Sequence, residues 1–171
     1  MPQSSPTARL KTLTSHLAAT PSAAHALVMP ATRPPITCHI LDTLSGLPAR
    51  NIPVTVELLS PTREGKIVFE AVTNDDGRIP AWTAVSSDGN GNVLDMQALF
   101  ETFEQGADMK WVARFDVLRY FADRNIKPFF PEVEIRFLTS GFGSDANGEE
   151  RGHWHVPLLL GPYSYTTYRG S

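Results

Sequence analysis

Residues 132–137 read EVEIRF, and the strict alternation of charged and apolar side chains decides between helix and strand. An extended chain sends successive side chains to opposite faces. Val133, Ile135 and Phe137 therefore face a core, while Glu132, Glu134 and Arg136 face out. The same period of two recurs upstream. In NIPVTVELL (51–59), Ile52, Val54, Val56 and Leu58 share one face and Thr55 and Glu57 take the other. In KIVFEAV (66–72), Ile67, Phe69 and Ala71 share a face. KWVARFD (110–116) and HWHVPLLL (153–160) read as further strands, and SYTTYR (164–169) follows a turn at Gly161-Pro162. Short alternating runs punctuated by Gly, Pro and Asn predict an all-β fold, an antiparallel sandwich of two sheets. Helix is scarce. DVLRYFADRN (116–125) places Val117, Tyr120 and Phe121 at helical spacing behind Asp116 as N-cap. The insertion NVLDMQALFETFEQG (92–106) also has helical spacing, with Leu94, Ala98 and Phe103 in its apolar set and Gly106 near its end. TSGFGSDANGEERG (139–152) reads as a polar, mobile loop.

Composition bounds the function. A chain of 171 residues with 42% hydrophobic and 19% charged side chains suits one globular domain with a sizeable core. A net charge of -3 offers no electrostatic footprint for nucleic acid. The one cysteine, Cys38, excludes an intrachain disulfide and suits a reducing compartment. No apolar run approaches the roughly 20 residues that span a bilayer as a helix. Residues 1–35 differ from the rest: they are rich in Ala, Ser, Thr and Pro, and the first acidic residue of the chain is Asp42. That composition is expected of a disordered targeting leader, leaving residues 36–171 as the domain. Two addresses fit it. Arg9-Leu10, five residues, then His16-Leu17 matches an N-terminal peroxisomal signal read by an import receptor, with Leu10, Leu13 and Leu17 on one helical face. A mitochondrial transit peptide is the alternative, although only Arg9, Lys11 and Arg33 supply its charge; without a working address the chain stays cytoplasmic.

Strand phase also sorts the residues that carry chemistry. In ITCHILD (36–42), Ile36, Cys38 and Ile40 share a face, so His39 points the other way with Thr37 and Leu41. In HWHVPLLL, Trp154, Val156, Leu158 and Leu160 form the apolar face, so His153 and His155 point away from it. Leu41 and Leu159 lie on these same outer faces, and a half-apolar outer face carrying histidines suggests a partly desolvated cleft covered by another subunit. In TNDDGR (73–78), Asp76-Gly77 signals a turn and Arg78 follows it. A guanidinium at a loop edge can clamp a planar, polar, anionic ligand with paired hydrogen bonds.

The segments CHILD, TNDDGR, RFDVLRYF, FFPEVEIRF and the terminal HWHVPLLLGPYSYTTYRGS together resemble the 5-hydroxyisourate hydrolases of the transthyretin-related family, over residues 36–171. The YRGS ending is the specific mark, because it separates these hydrolases from the hormone-carrying transthyretins. Those carriers have a lysine where His39 stands, a threonine where His155 stands and an acidic residue where Arg78 stands. Trp154 and Gly161 depart from the usual tyrosine and serine, and the stretches 85–110 and 141–152 are longer than the family usually has. The resemblance implies a homotetramer of two-sheet sandwiches, with active sites in a channel where dimers meet. It also implies hydrolytic opening of a cyclic amide without metal or cofactor.

In that reading His39 and His155 activate water and move protons, without a decision between them, since neutral imidazole is the natural base near pH 7. Arg78 orients substrate and stabilises negative charge. Ser171, through its hydroxyl or terminal carboxylate, holds a histidine or the water. Tyr168 contacts substrate, and Arg169 and Gly170 shape the end. Three other readings compete: a transthyretin-like binding protein without turnover, a zinc site on His39, His153 and His155, and a structural sandwich.

Overall fold

A computed structural model of the chain describes residues 33–61, 65–85, 95–144 and 150–171. The expected leader, residues 1–32 above all, lies outside them, as do Leu94 and the tip of the 139–152 loop.

Two sheets form the body. The first runs, in spatial order, from β11 (Tyr165–Thr167) through β10 (Trp154–Leu160) and β1 (Ile36–Asp42) to β2 (Leu47–Pro48). The second runs from β5 (Thr83–Ala84) through β4 (Ile67–Val72), β3 (Pro53–Ser60) and β6 (Asp108–Asp116) to β7 (Glu132–Ser140). A small hairpin pairs β8 (Gly143–Ser144) with β9 (Glu150–Arg151), where the sequence alone suggested only loop. The period-two reading holds along the strands. Ile52, Val54, Val56 and Leu58 are buried, as are Ile67 and Phe69, Val133 and Ile135. On the outer face of the second sheet, Arg114 joins Glu57 at 2.7 Å and Glu134 at 3.1 Å, and Glu134 also meets Arg136 at 2.9 Å. Glu134 and Arg136 of EVEIRF thus join Arg114 and Glu57 in one ladder across three strands.

Three details differ from the sequence reading. β1 and β10 pair in parallel, not antiparallel, with Thr37 opposite His155 and His39 opposite Pro157. Antiparallel order is enforced by short hairpins, and these two strands lie at opposite ends of the chain, so no turn constrains them. The helix after β6 is α2 (Leu118–Ala122), and its N-cap position is Val117 rather than Asp116. Asp116 ends β6, yet its carboxylate still accepts from the Leu118 N–H at 3.3 Å. The insertion does contain a helix, α1 (Met96–Glu101), capped by Asp95, whose carboxylate accepts from Gln97 N and Ala98 N. Its buried face is Met96, Leu99 and Phe100, however, and Ala98 is exposed.

That face explains what the insertion does for the fold. Phe100 sits 5.7 Å from the Trp111 ring of β6, 5.3 Å from Trp154 of β10 and 5.4 Å from Phe142 beyond β7. One helical phenylalanine therefore joins an inward tryptophan from each sheet. Trp111 and Phe100 are fully buried and Trp154 nearly so. The aromatic cluster fills the interior directly behind the strand that carries His155.

Candidate active site

The outer face of the β1–β10 pair carries the imidazoles, as strand phase predicts. Ile36, Cys38 and Ile40 are buried in the core, and His39 projects to the other side, half-buried. Trp154, Val156, Leu158 and Leu160 face inward, while His153 and His155 are half-buried outside.

Arg78 reaches this face through the TNDDGR turn. The Asn74 side chain accepts from the N–H groups of both Asp76 and Arg78, at 3.0 and 2.9 Å, and Asn74 N donates to Arg78 O at 2.8 Å. Gly77 completes the turn at φ +68° and packs against the β1 backbone, where Ile40 N donates to Gly77 O at 2.9 Å. A side chain at Gly77 would collide with Ile40 O, so glycine is required twice over. The result is a bridge between His39 and Arg78. The guanidinium is solvent-facing but close enough to act on both imidazoles.

The chain terminus closes the other side. Gly170 N donates to His155 O at 3.0 Å, an isolated bridge beyond β11. A methyl on Gly170 would run into the His155 ring at Cδ2. The terminal run is thus clasped to the strand bearing His155. Tyr168 and Arg169 line a cavity of about 340 Å³ together with His155, Trp154 and Phe137, which His39 and Arg78 do not reach. Ser171 follows at the exposed end, and its side chain makes no hydrogen bond among the described residues.

Electrostatics favours neutral rings. Burial lowers the His155 pKa first, and the charges of Arg78, Arg33 and His39 lower it further. His39 is lowered by burial and then by Arg78, offset in part by Asp76. His153 is lowered by burial, Arg33 and His155. In each ring the causes that disfavour the imidazolium prevail, so these side chains are bases at neutral pH.

Two residues emerge that sequence reasoning left aside. Thr37 is buried between the histidines, its Oγ1 2.9 Å from His153 Nε2 and 2.8 Å from His155 Nδ1. Arg33 was grouped with the leader, yet its charge acts on His153 and His155, and Pro35 O accepts from Trp154 N at 2.8 Å. Paired structure thus starts ahead of residue 36. Thr37 was legible only as the third member of the His39 face; Arg33 gave no signal in its Pro-rich surroundings. No cluster of three or more metal-ligating side chains gathers among the described residues.

A model described as the HIUase/Transthyretin family matches residues 36–170. The chain belongs to the HIUase/Transthyretin family. Among family members, a 5-hydroxyisourate hydrolase of Mus musculus is 35% identical over 138 residues, covering 80% of this chain and 95% of the relative. A probable 5-hydroxyisourate hydrolase of Schizosaccharomyces pombe is 34% identical over 140 residues, 81% of this chain and 92% of the relative. Among solved structures, transthyretin from Sparus aurata superposes with a TM-score of 0.55 at 25% identity, over 81% of this chain and 97% of that one. Proteins named as hydrolases and one named transthyretin thus share this sandwich, and the fold by itself does not choose between them.

Proposed function

We propose that the protein hydrolyses 5-hydroxyisourate, opening its cyclic amide to give 2-oxo-4-hydroxy-4-carboxy-5-ureidoimidazoline in urate breakdown. The observation that carries this reading is the set His39, Arg78 and His155, gathered on one outer face with both imidazoles held toward their neutral form. A neutral imidazole takes a proton from water as its oxygen attacks the amide carbonyl carbon. The carbonyl oxygen becomes negative, and the Arg78 guanidinium stabilises it. Collapse breaks the C–N bond, and the proton held by the imidazole passes to the leaving nitrogen. Tyr168, Arg169 and Gly170 frame the substrate, and Ser171 positions a histidine or the water.

The test is 5-hydroxyisourate generated in place from urate by a urate oxidase and followed by ultraviolet absorbance. Acceleration by the wild type, lost by about 10²–10⁴-fold in His155→Ala with the fold intact, is the expected result. Tight binding of aromatic ligands without turnover would favour the carrier reading instead.

The working form is a homotetramer with sites between dimers. Among the described residues β7 and β11 are edge strands, and the nine-residue edge of β7 supports this, since an unpaired edge invites pairing with another copy. Light scattering giving four times the 18.8 kDa chain mass is expected. Residues 1–35 address the protein to peroxisomes through an import receptor that reads Arg9-Leu10 and His16-Leu17. A fluorescent cargo carrying this segment goes to peroxisomes and is released to the cytosol by Arg9→Ala; mitochondrial staining would refute the assignment.

A further inference from the structure

We propose that Thr37 is a positioning residue: its hydroxyl holds His155 with Nδ1 protonated and Nε2 bare, and links His155 to His153 as the next proton acceptor. The inference rests on the hydrolytic reading above and assigns within it which nitrogen reacts and where the proton goes.

The geometry is a three-member bridge. Thr37 stands opposite His155 in the β1–β10 register, and its residue is 8% exposed. Oγ1 lies within hydrogen-bond distance of His153 Nε2 and His155 Nδ1, at 2.9 and 2.8 Å. The rings of His153 and His155 lie 6.3 Å apart and 16° from parallel, on the same side of the strand. A threonine hydroxyl has one proton and two lone pairs, and a neutral imidazole has one N–H and one bare nitrogen. The hydroxyl could accept from both rings only if its own proton had a third acceptor, and among the described residues Oγ1 has no partner besides the two imidazoles, so it donates to one neutral ring and accepts from the other. The two nitrogens facing it are therefore in opposite states.

Of the two arrangements, one serves the reaction. If His155 Nδ1–H donates to Oγ1, then Nε2 carries a lone pair. Nε2 is bonded to Cδ2, the ring atom lying against Gly170, so the bare nitrogen sits on the side of the terminal motif. The Thr37 hydroxyl then donates to His153 Nε2. The reverse arrangement would place the proton on His155 Nε2 and leave no base there. The chosen arrangement also gives the proton an exit. When Nε2 takes a proton from water, the Nδ1 proton moves to Oγ1 as the hydroxyl proton moves to His153 Nε2. One proton has then left water, His155 is neutral with Nε2–H, and His153 carries the charge. Reversal returns the proton to the leaving nitrogen. A third group fixing the tautomer of a working histidine is a known device; here it is a hydroxyl, not a carboxylate.

Valine would pack against the strand as well as threonine does, so Thr37→Val separates packing from hydrogen bonding, and Thr37→Ser keeps the hydroxyl without the methyl. Charged and titratable groups acting on His155 are Arg78 from the turn, Arg33 before β1, His39 from β1, and His153 immediately ahead of β10. These are the same in all three proteins. The expected result is a fall in kcat of about 10–100-fold in Thr37→Val with KM little changed. Thr37→Ser should recover most of it. In parallel, long-range proton–nitrogen correlation spectra should show His155 as the Nδ1–H tautomer in the wild type and Thr37→Ser, but not in Thr37→Val. Three results each overturn the proposal: unchanged kcat in folded Thr37→Val, Thr37→Ser as slow as Thr37→Val, or His155 found as Nε2–H in the wild type. The tautomer spectrum needs no turnover. A wild type inert toward 5-hydroxyisourate but showing Nδ1–H would therefore sink the hydrolytic reading, while Nε2–H sinks the bridge.

Discussion

His155 is held by three different parts of the chain: its Nδ1 by Thr37, its carbonyl by Gly170 and its charge state by two arginines. The acid limb of turnover therefore lies below the ordinary imidazole value of 6.5, since the folded pKa values of His39 and His155 are both lowered. A pH–rate profile of kcat/KM checks this, and a limb above 6.5 would contradict it. Stability depends on pH with the sign opposite to that of a histidine whose pKa is raised by an acidic partner. Between the lowered folded value and the unfolded value the unfolded chain binds more protons, so stability is full above about 6.5 and falls as pH drops through that window. Gly170→Ala is expected to displace the His155 ring and cut kcat by about tenfold or more while unfolding is little changed, as misplacement of a reacting group does. Turnover and thermal melts on the same sample decide it. At this scale strand phase made His39 and His155 legible, and a turn signal exposed Arg78. Thr37 was not singled out, because a threonine on a strand usually means nothing more than β propensity.

Among the elements, α1 shows where sequence pattern is weakest. Two apolar sets interlace in NVLDMQALFETF: Leu94 and Ala98 belong to one, Met96, Leu99 and Phe100 to the other. Six residues of helix are too few for periodicity to choose the phase. Tertiary contacts chose it, by stacking Phe100 between Trp111 and Trp154. Phe100→Ala is accordingly expected to cost about 3–5 kcal/mol, the usual range for emptying a buried phenylalanine site. Denaturant unfolding measures it, and a loss under about 1 kcal/mol would mean the cluster collapses to fill the gap. The parallel pairing of β1 and β10 was unreadable for a different reason. Period two reports which face a residue takes and says nothing about which strand lies beside it or in what direction.

For the molecule as a whole, the two sheets leave β7 and β11 with open edges beside the cavity that His155, Tyr168 and Arg169 line. Leu138 and Tyr165 are exposed there, at 59% and 38%. Alternation alone made the fold class readable, while the functional reading needed particular outward residues, His39, Arg78 and the terminal run, whose resemblance pointed to the hydrolases.

The hydrogen bond between Thr37 and His155 joins positions separated by 118 residues. Every strand of the second sheet can find its neighbour across a shorter stretch, but β1 of the first sheet has only the two-residue β2 beside it until β10 arrives. Closing so long a loop is entropically late. The catalytic face is thus written at both ends of the message and becomes meaningful only when the last part has been read. In a refolding experiment at fixed concentration, catalytic competence should return only with the late phase that buries Trp154 of β10, after the second sheet has formed. A polypeptide still emerging from synthesis would hold a formed half-sandwich with no chemistry at all.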